Sequence, residues 1–263
     1  MGDKSGIEWT DATWNPVTGC TKVSAGCDHC YAEVLAFRLK KMGQEKYRNG
    51  FEVTLHPQAL DLPLKWRTPR RVFVNSMSDL FHARVPKEFV AQIWDVMTRC
   101  PQHTFQVLTK RPERMARWTA EHPAPPNVWL GTSVEDERVA HRIDRLRECR
   151  TEVRFLSCEP LIGPLPALDL VGIHWVITGG ESGEGSRPCQ PEWVREIRDQ
   201  CLRQNVAFFH KQWGGRTPKS NGRQLDGRTW DEFPHLPRRA VDAEVADGTS
   251  GKKIDVPLFI GVS

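Results

Sequence analysis

The chain has 263 residues, 39% hydrophobic and 27% charged, the balance of an ordinary globular protein. Lys and Arg together number 37 against 33 Asp and Glu, and this formal charge of +4 is too small to argue by itself for a nucleic-acid partner. These figures exclude a chain disordered throughout and one that folds only through disulfides, and no apolar run approaches the ~20 residues of a membrane helix.

The N-terminal stretch, residues 1–16, has no apolar core segment. No signal peptide is expected there, and the cytoplasm is the expected location. A first strand is expected near residues 7–14. A cysteine-rich loop follows, then a helix over 31–42. Short apolar segments at 72–75, 105–108, 128–131, 153–157, 174–177 and 206–210 read as strands covered on both faces, because none alternates cleanly with charge. Helical spacing is expected over 86–99, 112–120, 135–150 and 191–204, with Pro86 suited to a first turn. Strands alternating with helices predict a parallel sheet, as a closed or partly closed β/α barrel or as an open doubly wound sheet. Neither the dinucleotide-binding nor the phosphate-loop glycine pattern is present. Residues 214–222 read as a loop and 254–260 as a final strand.

Of eight cysteines, Cys20, Cys27 and Cys30 lie close together. Clustered cysteines in a non-secreted chain point to metal or redox chemistry, and thiolates suit zinc and iron–sulfur clusters. Gly19 and Gly26 let the backbone curl around a shared centre. A closed four-ligand site needs His29, Asp28 or a distant cysteine, whereas an open fourth position is reactive. Both readings stay open at this point.

Polar groups follow nearly every expected strand, where β/α barrels place their chemistry. Asn75, Ser76 and Asp79 follow one, with a helix cap as the plainer role for Asp79. Lys110 and Arg111 follow another, two cations suited to a carboxylate or phosphate. Thr132, Ser133 and Glu135 come next, with Glu135 a candidate for ribose hydroxyls. Cys158 and Glu159 end the fifth, and Cys158 is either a hydrogen-atom donor or a small buried hydrophobe. Gly179, Gly180 and Glu181 follow the sixth, where glycine permits close approach to a ligand. His210, Lys211 and Gln212 follow the seventh.

The motifs WTDATWNP (9–16), GCDHCYAE (26–33), VNSMSDLF (74–81), LTKRP (108–112), GTSVE (131–135), LSCEPL (156–161), GGESG (179–183), KQWG (211–214) and LDGRTW (225–230) resemble the phage-associated Gp37/Gp68 family. The cysteine loop ahead of a β/α series also resembles the radical S-adenosylmethionine superfamily. It departs from the commonest spacing there in having six residues, not three, between the first two cysteines. The resemblance implies an α/β fold, a partly open barrel of six or seven parallel strands over residues 1–237, with a short extension at 238–263. It implies a [4Fe–4S] cluster on Cys20, Cys27 and Cys30 as metal ligands. S-adenosyl-L-methionine would be held by Asn75, Ser76, Asp79, Thr132, Ser133, Glu135, Gly179, Gly180 and Glu181. Lys110, Cys158 and Glu159 are the implied catalytic residues. Reductive cleavage would give a 5′-deoxyadenosyl radical that takes hydrogen from a substrate, with a nucleic acid or nucleotide suggested by the phage association. The implied partner is an electron donor such as flavodoxin or ferredoxin, with no membrane. Two alternatives remain at this stage: a non-catalytic zinc or iron–sulfur protein binding nucleic acid or a protein, and a metal-independent β/α hydrolase.

Overall fold

The computed structural model describes residues 5–234. The expected boundary after residue 237, the extension and its strand lie outside the described residues. Seven strands form one sheet: β1 (Ala12–Trp14), β2 (Arg71–Val74), β3 (Thr104–Thr109), β4 (Val128–Ser133), β5 (Arg154–Cys158), β6 (Trp175–Gly179) and β7 (Ala207–Gln212). Their spatial order is their chain order, and every neighbouring pair is parallel. A doubly wound sheet reverses its order partway, so that alternative is excluded. The pairing runs from β1 to β7 without closing, which makes the α/β fold a partly open barrel.

Among the described residues five α-helices accompany the sheet: α1 (Tyr31–Lys41), α2 (Lys87–Thr98), α3 (Pro112–Glu121), α4 (Arg142–Arg147) and α5 (Pro191–Arg203). Pro112 and Pro191 open α3 and α5, where a missing N–H leaves no bond unmade. Phe89, Ile93 and Met97 on α2, Met115 on α3 and Ile197 on α5 pack with Val72, Val107, Leu130 and Leu156 into the main core between sheet and helices. The helix expected over 135–150 is shorter. Glu135 is drawn into an ion-paired site, Asp136 accepts from the Arg138 N–H to cap a 3-10 turn, and α4 starts only at Arg142. In α1 the buried face is Ala32 and Ala36, small enough to lie close on Met77 and Tyr47, while Leu35 and Phe37 are exposed.

A second core fills the concave face. Phe73 of β2, Trp129 of β4, Phe155 of β5, Trp175 and Ile177 of β6 and Phe209 of β7 cluster there with Trp9. Trp9 touches Phe73 at 4.7 Å and Trp175 at 6.2 Å between ring centroids, so the curl brings the first and sixth units together. Phe233 spans the remaining seam: its ring lies against Phe209 and Trp175, and the Arg71 guanidinium sits 4.2 Å above it. Gly131 leaves room for the Phe155 ring, which a Cβ there would meet at 2.5 Å. Among the described residues no helix is long and apolar enough to cross a membrane.

Candidate functional site

Side chains alternate across each strand, and this parity decides what reaches the concave face. Phe73 and Asn75 point inward from β2 and its end, Trp129 and Ser133 from β4, Phe155 and Ser157 from β5. The aromatic members form the floor, and the polar members one or two steps later form the wall of a cavity of about 380 Å³ at the C-terminal ends of the strands. Cys20, Cys27 and Cys30 all line this cavity, as do Asn75, Ser76, Asp79, Lys110, Arg111, Ser133, Glu159, Gly180, Glu181 and Lys211.

Four expected site residues are placed elsewhere. Thr132 and Cys158 have the opposite parity. The Thr132 hydroxyl is buried and donates to the Thr109 carbonyl at 2.9 Å. Cys158 is fully buried in the core between sheet and helices, and burial pushes its thiol well up, with Cys201 and Glu159 adding to the effect. That position is a small hydrophobe's, away from the cavity wall. Gly179 stands behind Glu159, whose carboxylate a Cβ would meet at 2.6 Å. Glu135 is 1% exposed, behind the cysteine loop, with Gly26 leaving room for its side chain.

Three strand ends hold the cysteine loop. After β4, Glu135 Oε1 accepts from the Ser24 hydroxyl at 3.0 Å and pairs with Lys110, while Oε2 takes Arg142 at 2.9 Å. Burial opposes its ionisation, but the Lys110 and Arg142 charges outweigh that and hold the carboxyl below its usual range. After β6, Glu181 Oε2 lies 3.0 Å from His29 Nδ1, and Arg187 forks onto both of its oxygens at 3.0 and 2.6 Å. Burial again opposes ionisation, and the Arg187 bonds and His29 lower the pKa. After β3, Arg111 donates to Thr21 O and Oγ1, both at 3.0 Å, and lies 3.5 Å from Cys20 Sγ. Burial pushes the Cys20 thiol up to about 11, Asp79 adds to this and Arg111 opposes it. Burial also raises Cys30.

Asp79 is saturated. Oδ1 accepts from Phe81 N–H at 2.9 Å and Thr109 Oγ1 at 2.7 Å, and Oδ2 from Arg111 Nη1 at 2.8 Å and Lys110 N–H at 3.2 Å. It is thus an anchor for two loops. Ser76 exchanges hydrogen bonds with the Asn15 amide, and its carbonyl accepts from the Tyr31 hydroxyl. Asn75 differs. It adopts φ +60° and is 2% exposed; its Oδ1 accepts from Val17 N–H, and its Nδ2 has no partner among the described residues. An unsatisfied buried donor costs about 1–3 kcal/mol, which a ligand acceptor in the cavity would recover. On the opposite wall Lys211 Nζ pairs with Glu159 Oε1 at 3.0 Å, and Ser157 donates to Glu159 Oε2 at 3.2 Å.

The donor set bears on which metal group fits. All eight cysteines are free thiols. As they stand, the described residues form no group of three or more His, Cys, Asp or Glu that would hold a metal ion. A single zinc asks four ligands to converge within about 2.0–2.3 Å of one point. His29 and Asp28, the nearby candidates for a fourth, are turned to Glu181 and Arg187. A cluster of several irons takes separate thiolates and asks that they face one space. Three half-buried thiols on one cavity wall fit the second requirement, and Asn75 Nδ2 fits a cofactor acceptor beside them.

A family profile described as "Protein of unknown function (DUF5131)" matches residues 4–234. The chain belongs to the DUF5131 family. This is the family shown, and the Gp37/Gp68 likeness remains one of motifs. No curated protein matches the sequence. Among solved structures, a spore photoproduct lyase double mutant with bound AdoMet and dinucleoside spore photoproduct is similar at 11% identity and TM-score 0.41, over 73% of this chain and 61% of that one. Spore photoproduct lyase complexed with dinucleoside spore photoproduct gives the same identity and TM-score over 71% and 59%. The chain thus spans about three fifths of the length of these structures.

Arg142 and Arg187, which lock Glu135 and Glu181, were not foreseen from the sequence. The one signal for Arg142 is its place beside the apolar stripe of Val139, Ile143 and Leu146. Arg187 gives none, since its loop positions it only in space.

Proposed function

We propose that this DUF5131 member is an iron–sulfur enzyme of the radical S-adenosylmethionine kind. The carrying observation is that Cys20, Cys27 and Cys30 line one cavity at the C-terminal ends of an all-parallel sheet, beside an unsatisfied Asn75 donor. The sequence resemblance to the Gp37/Gp68 family and to the superfamily supports the same reading. When bound, a [4Fe–4S] cluster and S-adenosyl-L-methionine would supply one-electron cleavage to methionine and a 5′-deoxyadenosyl radical that takes hydrogen from substrate.

The chain's own share is holding, orienting and excluding water. Cys20, Cys27 and Cys30 would ligate three irons. Asn75 Nδ2 would donate to a cofactor oxygen, with Ser133 and the Gly180 backbone lining the same cavity. A side chain at Gly180 would meet the Trp213 carbonyl, so that wall stays thin. Lys110 and the Lys211–Glu159 pair face the space left for substrate, and the aromatic floor keeps water from beneath. Ser76, Asp79 and Glu181 line the wall while holding neighbouring groups, and Thr132, Glu135 and Gly179 support it from behind. Cys158 is not proposed as a hydrogen donor, because its thiol does not line the cavity. A nucleotide or nucleic acid is the proposed substrate class, resting on the phage association of the motif resemblance. The proposed partner is a flavodoxin or ferredoxin, and the proposed setting is the cytoplasm.

The test uses protein purified without oxygen, loaded with iron and sulfide, reduced with dithionite and given S-adenosyl-L-methionine. Formation of 5′-deoxyadenosine that is lost in the Cys20→Ala/Cys27→Ala/Cys30→Ala variant is the expected result. Stoichiometric zinc with a fourth protein ligand, and no capacity to assemble a four-iron cluster, would replace this reading with a structural metal site.

A further inference from the structure

Of the three strand-end residues that hold the cysteine loop, Arg111 is the one that reaches a thiol. Its Nη1 lies 3.5 Å from Cys20 Sγ and 2.8 Å from Asp79 Oδ2, and its Nη2 donates to both oxygens of Thr21 at 3.0 Å. Asp79 is itself fixed by the Thr109 hydroxyl and two backbone N–H groups. Thr21 Oγ1 is also 2.8 Å from His82 Nε2. The planar guanidinium is therefore held between Asp79 and Thr21, with one arm of its fork turned toward the sulfur. A cation's N–H aimed at a cluster thiolate stabilises the state with one more electron, because hydrogen bonds to the sulfurs and net charge set the potential of an iron–sulfur centre.

We propose that Arg111 is a positioning residue that fixes Cys20 and eases electron uptake by an iron–sulfur centre bound there. The assignment rests on the iron–sulfur reading above and adds to it a residue that sets the potential. Asp79 offsets part of the charge but aims the rest. Removing the guanidinium therefore leaves the Asp79 carboxylate near Cys20 without its cation and lowers the potential twice over.

The experiment is a redox titration of the anaerobically loaded protein without S-adenosyl-L-methionine, followed by electron paramagnetic resonance of the reduced cluster. Wild type is compared with Arg111→Gln and Arg111→Lys. At the potential where wild type is half reduced, Arg111→Gln is expected to show about a tenfold lower reduced-to-oxidised ratio, a shift of about 59 mV for one electron. Arg111→Lys, which keeps a charge without the fork, is expected to fall between the two. Equal potentials in intact clusters overturn the assignment and leave the iron–sulfur reading standing. A wild type that assembles no four-iron cluster ends that reading, and the assignment with it. Should Arg111→Gln fold normally by circular dichroism yet hold no cluster, Arg111→Lys decides: loading with a potential below that of wild type supports the assignment, and loading at the wild-type potential or equal failure overturns it.

Discussion

Glu135 accepts the Ser24 hydroxyl at 3.0 Å, and this bond joins the end of the fourth strand to the loop between Cys20 and Cys27. The carboxylate is buried and paired with Lys110 and Arg142. Glu135→Gln leaves two cations without their partner. Breaking a buried pair costs about 3–5 kcal/mol, and a loss of that order is expected in urea unfolding at neutral pH.

The same group predicts a pH dependence. Its folded pKa lies below the ordinary value of 4.5. A depressed carboxylate contributes stability that is full above the unfolded value and is lost as pH falls through the folded one. The urea midpoint of wild type should therefore drop below pH 4.5, and Glu135→Gln should flatten that acid limb. An unchanged limb in the variant would assign it to other carboxylates.

Iron loading should separate the three cavity cysteines from Cys158. Each single alanine at Cys20, Cys27 or Cys30 is expected to lower iron and sulfide content sharply after anaerobic reconstitution. Cys158→Ala is expected to retain both and to lose about 1 kcal/mol of stability as a small buried cavity. Loss of iron in Cys158→Ala at unchanged folding would place that thiol at the centre after all.

Asn75 Nδ2 is a donor in want of an acceptor. Asn75→Asp replaces it with a carboxylate in the same space. S-adenosyl-L-methionine binding to the loaded protein, read by calorimetry, is expected to weaken at least about tenfold, the equivalent of about 1.4 kcal/mol. Equal affinity would remove Asn75 from the cofactor's contacts.

Gly131 is fixed by packing rather than chemistry. Gly131→Ala places a Cβ against the Phe155 ring, and overpacking of this kind costs about 1–3 kcal/mol. A lowered melting temperature with normal iron content is the expected pairing. A stable variant would show that the aromatic floor yields.

The six strands after the first were legible as short apolar runs, because a parallel sheet buried on both faces needs no alternation with charge. The cysteine loop was equally legible, because three thiols within eleven residues carry their meaning in spacing. The contents of the site were less so. Ser157 and Cys158 are neighbours in sequence, yet one lines the cavity and the other packs under helices, since successive side chains leave a strand on opposite faces. Glu135 looked free to meet a ribose until Lys110, Ser24 and Arg142, brought together from β3's end, the cysteine loop and α4, occupied both of its oxygens. Local composition thus determined the strand series and the thiol chemistry. The tertiary structure alone decided which polar groups are spent on holding the loop and which still face the cavity, because a hydrogen bond between residues over a hundred positions apart leaves no periodic trace in the chain.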